Sequence, residues 1–169
     1  MRRMRFSAIA LILTLLGVRL APRHDAQAPT IRVDAVSYDE LGERIRGLEG
    51  RVIVVDFWAD YCLPCKKEFP RLVALNRKYS SLGLTTISVS LDDPADDEAQ
   101  ARVRRFLTVQ KANFANYVLK DTPEVWRAKL KIDGPPCLFV FHRRGQLVKK
   151  YHDRVDHDEV ERIVAGLFE

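Results

Sequence analysis

The chain of 169 residues is long enough for one well-buried domain and too short for two ordinary ones. Its composition, 47% hydrophobic and 30% charged, is that of a globular protein and excludes a disordered or fibrous chain. Much of the formal net charge of +5 comes from residues 1–28, which hold five arginines and one aspartate. The rest of the chain is therefore close to neutral and gives no reason to expect nucleic acid as a partner.

Residues 1–28 have the pattern of a secretory signal peptide. A basic start precedes an uncharged run, residues 6–18, which is shorter than the roughly 20 residues needed to cross a membrane core. Ala26-Gln27-Ala28 then supplies a small-x-small cleavage site. We expect cleavage after Ala28 and export to the periplasm or another extracytoplasmic compartment. The alternative is an uncleaved leader, in which case residues 6–18 anchor the protein to a membrane.

The next part of the chain alternates between strands and helices. A short extended stretch at residues 30–33 precedes a capping box that begins at Ser37 and opens a helix. The continuous β-branched and aromatic run at residues 51–58, RVIVVDFW, predicts a central strand that is buried on both faces. A helix over residues 62–79 follows it, and Pro70 is expected to kink this helix.

The last part of the chain continues the alternation and ends in a hairpin and a helix. Residues 137–141 and 146–151 flank Arg143-Arg144-Gly145, which predicts an antiparallel hairpin, and Asp156 caps the last helix. Strands joined by crossover helices pair in parallel, whereas the hairpin adds antiparallel edges. The predicted fold class is therefore α/β, with a mixed central sheet and helices on both faces. The remaining predicted elements are strands at 84–90 and 114–119 and helices at 98–109 and 122–130.

The motif Cys62-Leu63-Pro64-Cys65 directly follows the predicted central strand and lies in the first turn of the next helix. The unpaired N–H groups and the dipole of that helix favour a thiolate, so we expect the pKa of Cys62 to lie below the ~8.5 of a free cysteine. Pro64 suits the first turn, because its missing N–H has no helical partner to lose there. Cys65 lies one turn further on, where it can attack a mixed disulfide. Cys62 is the expected nucleophile and Cys65 the expected resolving cysteine.

A C-x-x-C pair also occurs in zinc sites and as a structural staple. A four-ligand zinc site needs a second pair of ligands, and Cys137 and the four histidines supply none at zinc-finger spacing. A disulfide that spans three residues constrains the unfolded chain little, which favours a chemical role for it in an exported protein. We therefore expect no metal and no other cofactor, the Cys62–Cys65 disulfide being the redox group itself.

The residues around the motif also carry a family resemblance. The segment VDFWADYCLPCK, residues 55–66, resembles the active-site segment of thioredoxins, and Pro70 matches the kink proline of their active-site helix. The segment GPPCLF, residues 134–139, is similar to their cis-proline strand. The leader, the strand that ends in Asp92-Asp93 and the extra strand and helix before Gly134 resemble the TlpA/ResA-like branch. The resemblance implies a thioredoxin fold over residues 29–169.

The resemblance implies roles for individual residues. Asp56 matches the buried acid that exchanges a proton with the resolving thiol, and a carboxyl inside an apolar strand is costly unless it has such a task. Trp58 matches the tryptophan packed under the active site, and Pro136 matches the cis-proline whose neighbouring backbone pairs with a substrate strand. The substrate-binding residues that we expect are Trp58, Leu63, Pro64, Pro136 and Cys137.

The sequence departs from the thioredoxin pattern most clearly at Cys137, where thioredoxins usually have Thr or Val. We expect this residue to face the Cys62–Cys65 pair, with its sulfur within a few ångströms of the pair, and to remain a free thiol. The other interpretation of Cys137 is a small buried hydrophobic residue. Leu63 also stands where thioredoxins have glycine.

The predicted function is a thiol–disulfide oxidoreductase that reduces exported proteins and takes electrons from a membrane-bound or soluble thiol donor. Members of the TlpA/ResA-like branch are such reductants and often serve cytochrome c maturation. Contact with a membrane is expected only if the leader is retained. One alternative is a copper chaperone that binds Cu(I) through Cys62, Cys65 and Cys137, since thiolates are soft ligands. The other is a peroxidase of the peroxiredoxin group, against which the second cysteine of the motif argues.

Overall fold

The structure, a computed structural model, describes residues 31–169, so the predicted leader lies outside the described residues. Within that range a short 3-10 helix, Ser80–Leu82, joins the second helix to the third strand. The strands are β1 (Asp34–Val36), β2 (Val52–Trp58), β3 (Leu84–Ser90), β4 (Ala115–Leu119), β5 (Cys137–Phe141) and β6 (Leu147–His152). The helices are α1 (Tyr38–Arg46), α2 (Leu63–Tyr79), α3 (Asp97–Gln110), α4 (Pro123–Leu130) and α5 (His157–Gly166).

The six strands form one mixed sheet in the order β1-β4-β3-β2-β5-β6. The pairs β1–β4, β4–β3 and β3–β2 are parallel, whereas β2–β5 and β5–β6 are antiparallel. All seven residues of β2 are buried, because this strand is paired on both edges and covered on both faces. The predicted α/β class with a mixed central sheet is therefore confirmed.

Two hydrophobic clusters, one on each face of the sheet, separate the helices into two layers. Side chains alternate between the two faces of a strand, so Val54 and Trp58 face α2, α3 and α5, while Val55 and Phe57 face α1 and α4. We call these the α2 face and the α1 face. Asp56 has the same parity as Val54 and Trp58, which puts its carboxyl on the α2 face.

The first strand lies later in the chain than predicted. It spans Asp34–Val36 instead of residues 30–33, because the register with β4 pairs Asp34 with Tyr117 and Val36 with Leu119. Ile31 is instead buried in the cluster on the α2 face. Local sequence indicated an extended segment, but only the neighbouring strand decides which of its residues pair.

The capping box predicted at Ser37 is present at the start of α1. The Ser37 hydroxyl accepts a hydrogen bond from the backbone N–H of Glu40 at 3.2 Å, and the Glu40 carboxylate accepts one from the backbone N–H of Ser37 at 2.6 Å. These reciprocal bonds satisfy two backbone donors that the helix itself leaves unpaired. Helix α1 is thereby fixed on the sheet directly after β1.

Replacing this cap should weaken the fold measurably. Ser37→Ala is expected to lower the free energy of unfolding by about 1 kcal/mol, because a backbone donor loses its acceptor. Urea denaturation of the oxidised protein measures the change. Ser81→Ala is the matched control, since Ser81 is exposed in the 3-10 helix, and should change stability by no more than about 0.5 kcal/mol. Equal losses in the two variants would contradict the role given to the cap.

Candidate active site

Cys62 and Cys65 form a disulfide at the point where β2 gives way to α2, as the motif predicts. Their Cα atoms lie 5.3 Å apart. Cys62 is the N-cap residue of α2, and its sulfur accepts a hydrogen bond from the backbone N–H of Cys65 at 3.2 Å. Both residues are largely buried. The first sulfur of the pair is thus hydrogen-bonded to one of the N-terminal donors of the helix.

Asp56 lies on β2 beneath this pair, and its side chain is only 7% exposed. Burial raises the pKa of its carboxyl to about 7, because the charged form loses its hydration. Within the described residues the protein supplies no hydrogen bond to this carboxyl. Asp56 and Cys65 line the same groove. A carboxyl that titrates near neutral pH thus shares a space with the second sulfur of the disulfide.

The groove has a volume of about 420 Å³ and opens beside Cys65. The cis peptide Pro135–Pro136 contributes Pro136 to its wall, in agreement with the predicted cis-proline. Glu68 and His157 also line it, and burial lowers the pKa of His157. The other lining residues are Pro64, Phe69, Arg71, Asp153, Arg154, Val155, Asp156 and Asp158.

Two large apolar side chains project to solvent on either side of Cys62. Leu63 is 76% exposed and Tyr61 is 66% exposed, and exposed apolar side chains that adjoin one another are more informative than a single one. With Pro64 they form an apolar rim next to the disulfide. Of the predicted substrate-binding residues, Leu63, Pro64 and Pro136 are therefore accessible beside the pair.

Trp58 supports the site from below and does not reach the surface. It is fully buried, with its ring centroid 5.4 Å from that of Phe69 and 4.9 Å from that of Phe106. The predicted position under the site is therefore correct. Its place among the predicted substrate-binding residues needs correction, because an indole without exposed surface packs the core instead of touching a substrate.

The expectation that Cys137 faces the disulfide is wrong. Its thiol is free and fully buried in the cluster on the α1 face, together with Phe57, which is its partner in β2. Leu138, the next residue of β5, is the one that turns toward the α2 face. The two faces of a strand alternate, so Cys137 and the Cys62–Cys65 pair lie on opposite sides of the sheet. This position favours the interpretation as a small buried hydrophobic residue and leaves no exposed side chain for substrate binding.

Because Cys137 lies on the α1 face, it cannot bind Cu(I) together with Cys62 and Cys65, as the copper-chaperone alternative requires. Among residues 31–169, no group of three or more histidine, cysteine, aspartate or glutamate side chains is arranged to hold a metal ion. Burial also raises the pKa of the Cys137 thiol to about 12, which opposes the thiolate that a metal would need.

Among residues 31–169, no helix is long and apolar enough to cross a membrane.

Sequence reasoning missed several charged residues around the pair. Glu68 is three residues after Cys65 on α2, and this helical spacing was the available signal for it. Asp60, Lys66 and Arg102 form an ion-pair network beside Cys62. Since Arg102 comes from α3 and His157 from α5, no short-range pattern links them to the motif.

Comparisons with known proteins agree with this geometry. The sequence model of the Thioredoxin-like family matches residues 50–147. The thiol-disulfide oxidoreductase ResA of Halalkalibacterium halodurans is 28% identical over 94% of this chain and 90% of its own length. ResA of Bacillus subtilis is also 28% identical, over 66% of this chain and 59% of its own length. The fold also resembles the crystal structure of a thiol:disulfide interchange protein, a thioredoxin family protein from Chlorobium tepidum TLS. The TM-score is 0.59 and the sequence identity 25%, over 73% of this chain and 84% of that chain.

The buried carboxyl should make stability depend on pH. Between about pH 4 and pH 7 the folded protein keeps a proton on Asp56 that the unfolded chain has lost, so stability falls as pH rises through this window. Relative to wild type, Asp56→Asn should therefore gain about 4 kcal/mol of unfolding free energy between pH 4 and pH 8. Urea denaturation of the oxidised protein at several pH values measures this difference. Asp97→Asn, at an exposed carboxylate, controls for charge removal, and a difference that does not change with pH would contradict the assignment.

Cys137 should stay unmodified in the folded protein. Its burial and its raised pKa both oppose alkylation, so iodoacetamide at pH 8 should leave it unlabelled until the chain is unfolded. Mass mapping of the non-reduced protein should show the Cys62–Cys65 bridge and an intact Cys137 thiol. Rapid labelling of Cys137 in the folded protein would show that the α1 face opens at this position.

Proposed function

This chain belongs to the Thioredoxin-like family, and from that premise we propose that it is a thiol–disulfide oxidoreductase that reduces disulfides in exported proteins. The observation that carries the proposal is the Cys62–Cys65 disulfide at the N-terminus of α2, with the buried Asp56 carboxyl in the groove beside Cys65. The relatives named thiol-disulfide oxidoreductase ResA support the same activity. The exported location rests on the signal pattern of residues 1–28.

The first step forms a mixed disulfide. In the reduced protein, the Cys62 thiolate is stabilised by the N-terminal donors of α2 and attacks one sulfur of the substrate disulfide. The substrate disulfide breaks, a new bond joins Cys62 to one substrate sulfur, and the other substrate sulfur leaves as a thiolate that takes a proton from water. Pro64 and the exposed Leu63 keep this surface open to the substrate.

The second step releases the substrate. Asp56 accepts the proton of the Cys65 thiol, because a carboxyl with a pKa of about 7 can take a proton near neutral pH. The Cys65 thiolate attacks the Cys62 sulfur, and the second substrate sulfur leaves and is protonated. The substrate gains two electrons and two protons, and the protein becomes the disulfide form. No separate cofactor enters this scheme, but a second thiol protein must return two electrons to the pair.

The substrate class follows from the accessible surface around the disulfide. The apolar rim of Tyr61, Leu63 and Pro64 suits an apolar side chain beside the substrate cysteine. The backbone next to Pro136 is proposed to pair with an extended substrate segment, as the resemblance to thioredoxins implies. Exported proteins with oxidised cysteine pairs, c-type apocytochromes among them, fit this description.

The two cysteines should behave differently when one is removed. Cys65→Ser is expected to accumulate mixed disulfides with substrate, because Cys62 still attacks and no resolving thiol remains. Cys62→Ser should trap none, and both variants should lose at least about 100-fold in the rate of insulin reduction. Non-reducing electrophoresis and mass mapping identify the trapped sulfur. Cys137→Val serves as the control cysteine replacement and should keep the wild-type rate. Trapping through Cys65 in the Cys62→Ser variant would reverse the roles.

A further inference from the structure

The loop between β2 and α2 is held by an ion-pair network that the proposed mechanism does not use. The carboxylate of Asp60, two residues before Cys62, accepts a hydrogen bond from the Lys66 ammonium at 2.8 Å on one oxygen. Its other oxygen accepts one from the Arg102 guanidinium, also at 2.8 Å. The Asp60 side chain is mostly buried, and the two ion pairs hold its pKa below the usual range although burial acts to raise it. One carboxylate therefore joins the loop to both α2 and α3.

The same loop is fixed from the side of β3. The backbone N–H of Asp60 donates to the Asp92 carboxylate at 2.8 Å, and the Ser90 hydroxyl donates to the same oxygen at 2.8 Å. The backbone N–H of Cys62 donates to the carbonyl of Ala59 at 3.0 Å, which closes the turn. Side-chain and backbone bonds thus fix the loop on both sides of Asp60.

Lys66 connects this network to the first cysteine. It lies one turn after Cys62 on α2, and its backbone N–H donates to the Cys62 carbonyl at 3.1 Å. Its ammonium bonds the Asp60 carboxylate and also approaches the Asp60 carbonyl at 3.3 Å. Lys66 therefore spans the loop that presents Cys62, and its charge is neutralised by Asp60. Two cations share one carboxylate beside the nucleophilic sulfur.

We propose that Asp60 is a positioning residue that pairs Lys66 with Arg102, fixes the loop before Cys62 and limits the positive charge acting on the Cys62 thiolate. The inference rests on the proposed role of Cys62 as the nucleophile. Without the Asp60 carboxylate, two cations would act on the thiolate and stabilise it further. Without Arg102, the Lys66–Asp60 pair would be left close to neutral. The two changes therefore affect Cys62 in opposite directions.

Other charged groups surround the pair and stay constant in this comparison. They are Asp56 on β2, Glu68 on α2, Asp92 after β3, Arg127 on α4, and Asp96 and Glu98 at the start of α3. Asp92 and Arg127 lie near the Tyr61 ring, and a Glu98 carboxylate oxygen lies 3.8 Å from the Arg102 guanidinium. None of them bonds to the Asp60 carboxylate, and Asp92 contacts only its backbone. A change at Asp60 or Arg102 thus alters a single charge.

The test is the pH dependence of Cys62 alkylation in the reduced full-length protein at low ionic strength. Peptide mass spectrometry measures the rate at which iodoacetamide labels Cys62 at several pH values between pH 5 and pH 9. The pH dependence of this rate gives the pKa of Cys62 in each variant. Asp60→Asn should lower this pKa by about half a unit, and Arg102→Gln should raise it by about half a unit, which is the shift that one unit charge produces if it acts across roughly 10 Å at an effective dielectric constant near 40. Salt at about 0.5 M should shrink both shifts.

Three controls separate tuning from simple loss of structure. Arg104→Gln removes an exposed arginine of α3 that is not part of the network and should leave the Cys62 pKa unchanged. Arg102→Lys should restore the wild-type value, because it keeps the charge. Unfolding in urea shows whether each variant is folded. If Asp60→Asn is not folded, the three arginine variants still show whether loss of the Arg102 charge raises the pKa of Cys62. Shifts in the same direction, or no shift in folded variants, would overturn the proposal. Faster labelling of Cys65 than of Cys62 in wild type would instead contradict the proposed function.

Discussion

The structure depends on one junction, the point where the buried strand β2 ends and the sulfur of Cys62 caps helix α2. The strand is fixed on both edges and both faces, so the junction has little freedom to move. A helix N-terminus presents unpaired N–H groups there, and the Cys62 sulfur already accepts one of them from Cys65. The chemistry of a dithiol thus follows from a strand-to-helix connection that the whole sheet holds in place.

Asp56 shows what this arrangement costs. An ionised carboxyl in a strand of valine and isoleucine loses its hydration and gains no hydrogen bond from the described residues, so burial moves its pKa toward neutral pH. A core of apolar residues alone would be more stable above pH 7. The carboxyl nevertheless lies on the face that the groove reaches, and it lines that groove together with Cys65, the residue with which it is proposed to exchange a proton. The loss in stability and the proposed function have the same physical origin.

The residues that sequence reasoning placed correctly are those controlled by local rules. The capping box at Ser37, the buried run of β2 and the cysteine pair at the start of α2 each depend on neighbours within a few positions. Cys137 was misplaced because its orientation depends on the register of β5 against β2, which turns alternate residues to opposite faces. The groove depends on packing between α2 and the start of α5, which are far apart in sequence. Such packing leaves no short-range pattern to find.

The charges around the disulfide differ on its two sides, and this difference fits the two steps of the exchange. Near Cys62, the N-terminus of α2 and the cations Lys66 and Arg102, which Asp60 joins, suit a sulfur that must stay ionised. Beside Cys65, the buried Asp56 has a pKa of about 7, so near neutral pH an ionised fraction can take up a proton while the group adds little charge, which suits a sulfur that must ionise only after the mixed disulfide has formed. If both sulfurs lay in the cationic environment, Cys65 would also be ionised in the reduced protein and would compete with Cys62 as the nucleophile toward a substrate disulfide. The separation of charge across a single helical turn therefore gives the two cysteines an order of action that their short spacing alone does not supply.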